Sequence, residues 1–252
     1  MDLTRLTIDQ GRAAPLSPEH ALAARFESYS AECLLSVLVR DVFRGGIALV
    51  SSFGADAAVL LHMVGRIDPG LPVLFLDTGK HFAETIAYRD RLAATLGLTG
   101  IRTVAPAAAA LGLRDAGGDL HALAPDACCE LRKVEPLAGA LAGFRAWITG
   151  RKRFQSSSRE HLPRIEATPG GFKINPLADW TGADIARYFA AHDLPPHPLA
   201  AAGYASIGCA PCTTPVAAGE DVRAGRWRGH LKHECGIHIE NGRVVRGGGG
   251  PA

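Results

Sequence analysis

Chemistry is most concentrated at the cysteines: the chain has six, and five fall in a pattern. Cys128 and Cys129 are adjacent, Cys209 and Cys212 form a C-x-x-C, and Cys235 stands alone in His230-Leu-Lys-His-Glu-Cys-Gly-Ile-His238. Four thiolates from two segments can hold one metal centre, either tetrahedral zinc or an iron–sulfur cluster. C-x-x-C is also the spacing of a thioredoxin-type redox pair, but that motif opens a helix after a strand, and Pro-rich sequence precedes Cys209. Unrelated free thiols are the remaining reading. Adjacent side chains diverge and grip a single small ion poorly, whereas a cubane offers separate iron corners that neighbouring thiolates can reach. Geometry thus favours the cluster over zinc. Cys235 has a different setting: Lys232 and the histidines favour its thiolate, and Gly236 loosens the backbone. A nucleophile is a better reading there than an idle thiol. Cys33, on an apolar helical face, is expected to be a small buried hydrophobe.

Positive charge is the second concentration. It gathers at Arg151-Lys152-Arg153 and between Arg223 and Lys232, although the formal net charge is only +2. So small a balance argues against nucleic acid or an acidic membrane as partner, and local clusters suit a small anionic ligand. Hydrophobic residues make up 47% of the 252, enough for one α/β domain with a functional tail. The N-terminus has no apolar signal region and no run is long enough to span a membrane, so a cytoplasmic protein is expected. In that compartment cysteines point to metal or catalysis before disulfides. The sequence sets no oligomeric state, and a homo-oligomer is left open.

These groups need elements to position them. Ile47–Val50 is a short apolar run that reads as a strand buried on both faces. Ser51-Ser52-Phe53-Gly54 follows, and Ala55-Asp56-Ala57 opens a helix with an acidic first turn. Strand, small-residue loop and helix N-terminus together present N–H groups and a positive dipole end to an anion. The loop is neither G-x-x-x-x-G-K-[ST] nor G-x-G-x-x-G, so it is not a standard nucleotide fingerprint. Further strands are expected at Pro72–Leu76, Ile101–Val104, Ala146–Thr149 and Phe172–Asn175, with a helix over Phe82–Leu96. Cys128 to Lys133 opens a helix that Pro136 interrupts or ends, and Thr181 caps a helix through Ala191. Residues 105–127 read as a mobile loop with a short helix near Asp119. Alternating strands and helices predict a doubly wound, mainly parallel α/β sheet, with ligands beyond the carboxyl ends of its strands. Three loops fall there: Ser51–Gly54, Asp77–Lys80 and Gly150–Gln155. Residues 1–16 read as an arm, 17–230 as the main domain and 231–252 as a flexible tail carrying Cys235.

Together these residues resemble the assimilatory sulfonucleotide reductases, specifically the iron–sulfur adenosine 5′-phosphosulfate (APS) reductases. The resemblance rests on Ser51-Ser-Phe-Gly-Ala-Asp, Leu76-Asp-Thr-Gly-Lys-His, Cys128-Cys-Glu-Leu-Arg-Lys, Thr149-Gly-Arg-Lys-Arg-Phe-Gln-Ser, Gly208-Cys-Ala-Pro-Cys, Gly219-Glu-Asp-Val-Arg-Ala-Gly-Arg-Trp and Glu234-Cys-Gly-Ile-His. These stand in the family's order, with every cysteine except Cys33 at a family position. The resemblance implies a Rossmann-like, adenine nucleotide alpha hydrolase-like fold related to the ATP pyrophosphatases. It implies one 4Fe–4S cluster on Cys128, Cys129, Cys209 and Cys212, and a catalytic Cys235. Ser51, Ser52, Phe53 and Gly54 would hold the phosphate side, the Leu76 strand end would face the adenine, and Thr78 and Gly79 would also bind substrate. Gly150, Lys133, Arg153, Arg223, Arg226 and His238 complete the implied substrate site. Asp56 stands where many members carry Glu. Lys152 stands where Arg is common, so Arg153 is preferred as the ligand.

The expected chemistry is attack of the Cys235 thiolate on the sulfuryl sulfur of APS, with AMP leaving. Reduced thioredoxin or glutaredoxin then releases sulfite. The rival readings are reduction of the 3′-phosphorylated nucleotide PAPS, an ATP pyrophosphatase-type ligase or sulfur transferase, and a non-catalytic zinc or nucleotide-binding module.

Overall fold

A computed structural model describes residues 17–232, 234–237, 239–240 and 243–244. Its centre is a six-stranded sheet in the order β3-β2-β1-β4-β6-β5. Strands β1 (Ile47–Ser51), β2 (Val73–Leu76), β3 (Ile101–Val104), β4 (Ala146–Ile148) and β6 (Gly171–Ile174) run parallel. The edge strand β5 (Ile165–Thr168) is antiparallel to β6. Buried on both faces, β1, β2 and β4 are continuous apolar runs whose alternate residues feed two cores. Ile47, Leu49, Val73, Phe75 and Ile148 face the larger core, and Ala48, Val50, Leu74, Leu76 and Trp147 the smaller.

The larger core is covered by α2 (Ala31–Val37), α3 (Ala57–Ile67), α4 (Ala83–Leu96) and α9 (Gly182–Ala191), with α1 (Pro18–Arg25) against β5. Thr181 caps α9 as expected, its hydroxyl accepting from Asp184 N at 3.2 Å. Cys33 differs from expectation: it is exposed, because α2 buries Ala31, Leu34 and Leu35 and Cys33 falls off that stripe. The acidic first turn predicted for α3 is also absent. Asp56 sits at its N-cap position, and the carboxylate turns to Lys152 instead.

Residues 105–127 are more regular than predicted, forming α5 (Ala108–Arg114) and α6 (Leu120–Leu123). Between them Asp115 accepts from Leu120 N at 2.9 Å and pairs with buried Arg132, which donates to Thr78 O at 2.7 Å. Pro136 does not end its helix. A π turn over Glu130–Val134 joins α7 (Pro125–Cys129) to α8 (Glu135–Leu141). Glu135 N donates to Glu130 O just before the proline, and this wider turn accommodates a ring with no N–H and a clash with the preceding turn.

Strand β5 was not anticipated in the sequence, although Pro169-Gly170 between two short runs is a hairpin signal. Beyond Pro195 regular structure thins out as expected, to 3₁₀ turns and a final pair, β7 (Ile239–Glu240) and β8 (Arg243–Val244). Residues 1–16 lie outside the described residues. Among the described residues no helix is long and apolar enough to cross a membrane.

Candidate active site

The chain leaves β1 for β2 and β3 on one side and returns to β4 on the other. A crevice therefore opens at the carboxyl ends of β1 and β4, where doubly wound sheets take ligands. A cleft of about 210 Å³ lies there. Its strand wall is built from Ser51, Ser52, Gly54, Leu76 and Gly150, with the N-terminus of α3 at Ala55–Ala57. Phe53 does not join that wall. Its backbone is left-handed (φ 51°), Ser51 Oγ accepts its N–H at 3.2 Å, and its fully buried ring meets Phe75 edge-on at 5.5 Å. Phe53 thus pins the loop from beneath and leaves the small residues facing outward. Gly54 lies against Ile207 O, which a Cβ there would meet at 3.3 Å.

Cations line the cleft, though not all those expected. Lys133, Arg223 and Arg226 are on its wall, and so are Arg151, Lys152 and Arg159. Arg153 is not: it is half-exposed, pairs with Asp179 and donates from Nε to Leu162 O at 2.9 Å. Lys152 is almost wholly buried, with Nζ 2.9 Å from Asp56 Oδ2 and 3.1 Å from Gly150 O. Burial pulls its pKa down and Asp56 only partly restores it. Arg151 is held by Glu166 of the unanticipated β5, a carboxylate that also accepts from Asn175 and Lys173.

Arg226 lies over the Trp227 ring at 4.5 Å, and its guanidinium occupies the space beside Gly208. A Cβ on Gly208 would come within 2.2 Å of Nη2, so a side chain here would displace the Arg226 guanidinium. Burial and Arg223 lower the Arg226 pKa, and its buried Nε has no hydrogen-bond partner among the described residues. Burial brings Arg159 down to about 10 despite the carboxylate of Glu234 beside it. Cys235 and Glu234 form the tail side of the cleft. His238 lies outside the described residues.

A second, small cavity adjoins the first and is lined by Cys128, Cys129, Cys209 and Cys212. Cys128 and Cys129 end α7, whereas Cys209 and Cys212 bracket the 3₁₀ turn Ala210–Cys212. That turn is tied to the β2 loop by Ala210 N donating to Lys80 O at 2.7 Å and by a bridge between His81 and Cys209. Thr78 lines neither the cleft nor this cavity: its side chain is fully buried, with its hydroxyl 3.3 Å from Cys209 Sγ. Gly79 supplies the left-handed turn beside Arg132 (φ 66°) and does not line the cleft either.

All four thiols are free. Among the described residues no group of three or more His, Cys, Asp or Glu side chains converges as a single-ion site would. Four thiols around one shared space, two of them adjacent, suit a polynuclear cluster. Burial raises the Cys128 thiol, and raises Cys129 to about 12. Burial also pushes Cys209 up, but Lys133, the Thr78 hydroxyl and Arg226 more than offset it and leave that thiol below its ordinary value.

Lys133, set by the π turn, lines both cavities. Burial disfavours its charge, yet the thiols of Cys209, Cys235 and Cys129 outweigh this and raise its pKa. The ammonium is thus the electrostatic link between the four-cysteine cavity and Cys235.

Residues 46–215 match the family described as the phosphoadenosine phosphosulfate reductase domain. The chain is 60% identical over 200 residues, 79% of each chain, to the adenosine 5′-phosphosulfate reductase of Mesorhizobium japonicum. It is 56% identical over 220 residues to that of Chelativorans sp., covering 86% of this chain and 89% of the relative. Among solved structures it is similar to the phosphoadenylyl-sulfate (PAPS) reductase from Candida auris, in a phosphate complex. There the TM-score is 0.67 at 28% identity, covering 80% of this chain and 100% of that one. Sheet order, cleft and these likenesses agree: the chain is an oxidoreductase belonging to the phosphoadenosine phosphosulfate reductase family, grouped with the relatives named adenosine 5′-phosphosulfate reductase.

Proposed function

We propose that the protein reduces APS to sulfite and AMP through an S-sulfonate on Cys235, with reduced thioredoxin or glutaredoxin as the thiol donor. The observation that carries this reading is the lone thiol of Cys235 on the wall of a cationic cleft at the sheet's switch point. APS has adjacent phosphate and sulfate groups, which guanidinium and ammonium groups fit by charge and by donor geometry. The Ser51–Gly54 loop and the N-terminus of α3 take the phosphate side, and the Leu76 end of β2 takes the adenine.

The Cys235 thiolate attacks the sulfuryl sulfur, the bond from sulfur to the phosphate oxygen breaks, and AMP leaves with the electron pair. Lys133, Lys152, Arg223 and Arg226 neutralise the charge that builds on that oxygen. A donor thiol then attacks Cys235 Sγ and expels sulfite, leaving a mixed disulfide. The donor's second thiol resolves it and returns Cys235 to the thiol, so the dithiol supplies both electrons. Cys128, Cys129, Cys209 and Cys212 would hold a 4Fe–4S cluster, whose contribution is structural and electrostatic. Lys133 stands between those thiols and Cys235, so its charge serves both sites.

Mass spectrometry of anaerobically purified enzyme mixed with APS should show a sulfonate adduct on Cys235. An adduct undiminished in Cys235→Ser would remove the assigned nucleophile. Sulfite release from APS in competition with PAPS assigns the substrate, with APS expected to win.

A further inference from the structure

The cleft wall carries two carboxylates. Asp56 answers Lys152. Glu234 is the immediate neighbour of Cys235, and its two oxygens are shared between cations from distant parts of the chain. Arg159 donates from Nε at 2.7 Å and from Nη2 at 2.8 Å, the forked geometry that makes carboxylate–guanidinium pairs strong. Arg223 Nη2 lies 3.2 Å from the same carboxylate. Arg159 is itself buried and is also held from outside the tail, donating from Nη1 to Gln155 Oε1 at 2.7 Å. On the other side of Cys235, Ile237 packs on the smaller core beside Val50, Leu76 and Trp147. The thiol is therefore bracketed by one ionic and one apolar attachment. Another ion pair of this segment, Lys232 with Asp126, has a largely exposed acid and is a weak tether.

A carboxylate also subtracts from the positive field of a cleft that suits an anion, so a purely binding role for Glu234 is a poor fit. Resting on the proposed function of Cys235, we infer that Glu234 is a positioning residue: its pairs with Arg159 and Arg223 are the releasable attachment that keeps the Cys235 thiol in the cleft. An ionic latch at a structured anchor can open for a protein reductant and close again, which an apolar seal does less readily.

The test is Glu234→Gln in the cluster-loaded enzyme, with unchanged visible absorbance and melting temperature as controls for folding. The first readout needs no substrate: the limiting rate of Cys235 alkylation by iodoacetamide, taken at the high-pH plateau so that thiol ionisation does not enter. It should rise about tenfold as the tail spends more time open. Glu234→Asp, which keeps the charge, should restore part of the protection. The second readout is single-turnover S-sulfonation by APS, expected to fall about tenfold while AMP affinity stays within about twofold. An unchanged limiting alkylation rate overturns the inference. So does AMP affinity that falls in step with sulfonation, since Glu234 would then belong to the nucleotide pocket. Failure of the wild-type enzyme to form any sulfonate, with alkylation still raised in the variant, would instead reject the APS reading and leave the latch standing.

Discussion

The two walls of the cleft are made by different physics. The strand wall stands on β1, β2 and β4, whose side chains are almost all buried, and its loop is nailed down by Phe53. The tail wall, from Gly208 to Ile237, has little regular structure. It is held by Arg226 on Trp227, by Glu234 on two arginines, by the half-exposed pair Arg228–Glu220, and by Lys232 with the exposed acid Asp126. Hydrophobic burial fixes the first wall against salt and small perturbations, whereas the second depends on charged pairs, of which the outer ones are weak and screened and the Glu234–Arg159 pair is largely buried. The proposed reaction has two different partners and would use this asymmetry, the nucleotide taking the rigid seat and a protein reductant needing access to the sulfur.

Removing the proposed nucleophile from the tail wall should separate the two most sharply. Cys235→Ser is expected to lower sulfite release by at least about 10³-fold, because an alcohol replaces a good nucleophile. AMP binding by calorimetry should stay within about twofold, since the strand wall is untouched. A matching loss of AMP affinity would show that the two walls do not act separately.

A large effect on the scaffold side is expected from pH. His197 is buried against α4, its Nε2 3.1 Å from Thr85 Oγ1 and its Nδ1 accepting from Leu199 N at 3.1 Å. Burial lowers its pKa to about 4 from an ordinary 6.5. The folded state favours the neutral ring, so this contribution is fully present above pH 6.5. It is lost as the pH falls toward 4, where the unfolded chain binds the proton first. Unfolding free energy from urea titrations should drop by up to about 3 kcal/mol over that window from this group alone. His197→Asn, whose amide oxygen can replace Nδ1, should flatten that part of the slope. An unchanged slope in the variant would take His197 out of the account.

Close packing governs the next case. Gly208→Ala puts a methyl where the Arg226 guanidinium lies, and the arginine must leave its place on Trp227. Turnover of APS is expected to fall by about 10²-fold, the usual scale for losing one preorganised charge-stabilising donor. The cluster absorbance should persist, because Gly208 precedes Cys209 without lining its cavity. Loss of colour along with activity would mean that the substitution disturbs the cysteines and not the arginine.

How much of this could be read in advance follows the same division. Ile47–Val50, Pro72–Leu76 and Ala146–Ile148 are short apolar runs, and their length, β-branched and aromatic content and flanking turn residues mark strands covered on both faces, so the sheet and the three loops at its ends were legible. The four cysteines were legible by type and spacing, since adjacent thiols restrict what they can share. Strand β5 was not, because Ile165-Glu-Ala-Thr is an edge with a charged residue whose purpose, holding Arg151, appears only in three dimensions. Glu234 stood beside Cys235 in plain view, but a carboxylate near a cysteine has no distinctive spacing, and its partners are 75 and 11 residues away. Side-chain direction in irregular chain was least legible of all.

Lys152 and Arg153 make that last point testable with neighbours that differ by one position. Resemblance favoured Arg153, yet the backbone is extended at Lys152 and turns into a 3₁₀ segment at the next residue. The turn sends Arg153 out to Asp179 and leaves Lys152 in the cleft, with side-chain exposures of 43% and 2% respectively. Lys152→Met keeps the length of the side chain and removes the charge, stranding Asp56 at the mouth of α3. It should reduce kcat/KM for APS about tenfold. Arg153→Met loses a surface pair and should stay within about twofold. If the two variants exchange ranks, the irregular loop rearranges around the nucleotide, and the strand wall is less rigid at β4 than its burial implies.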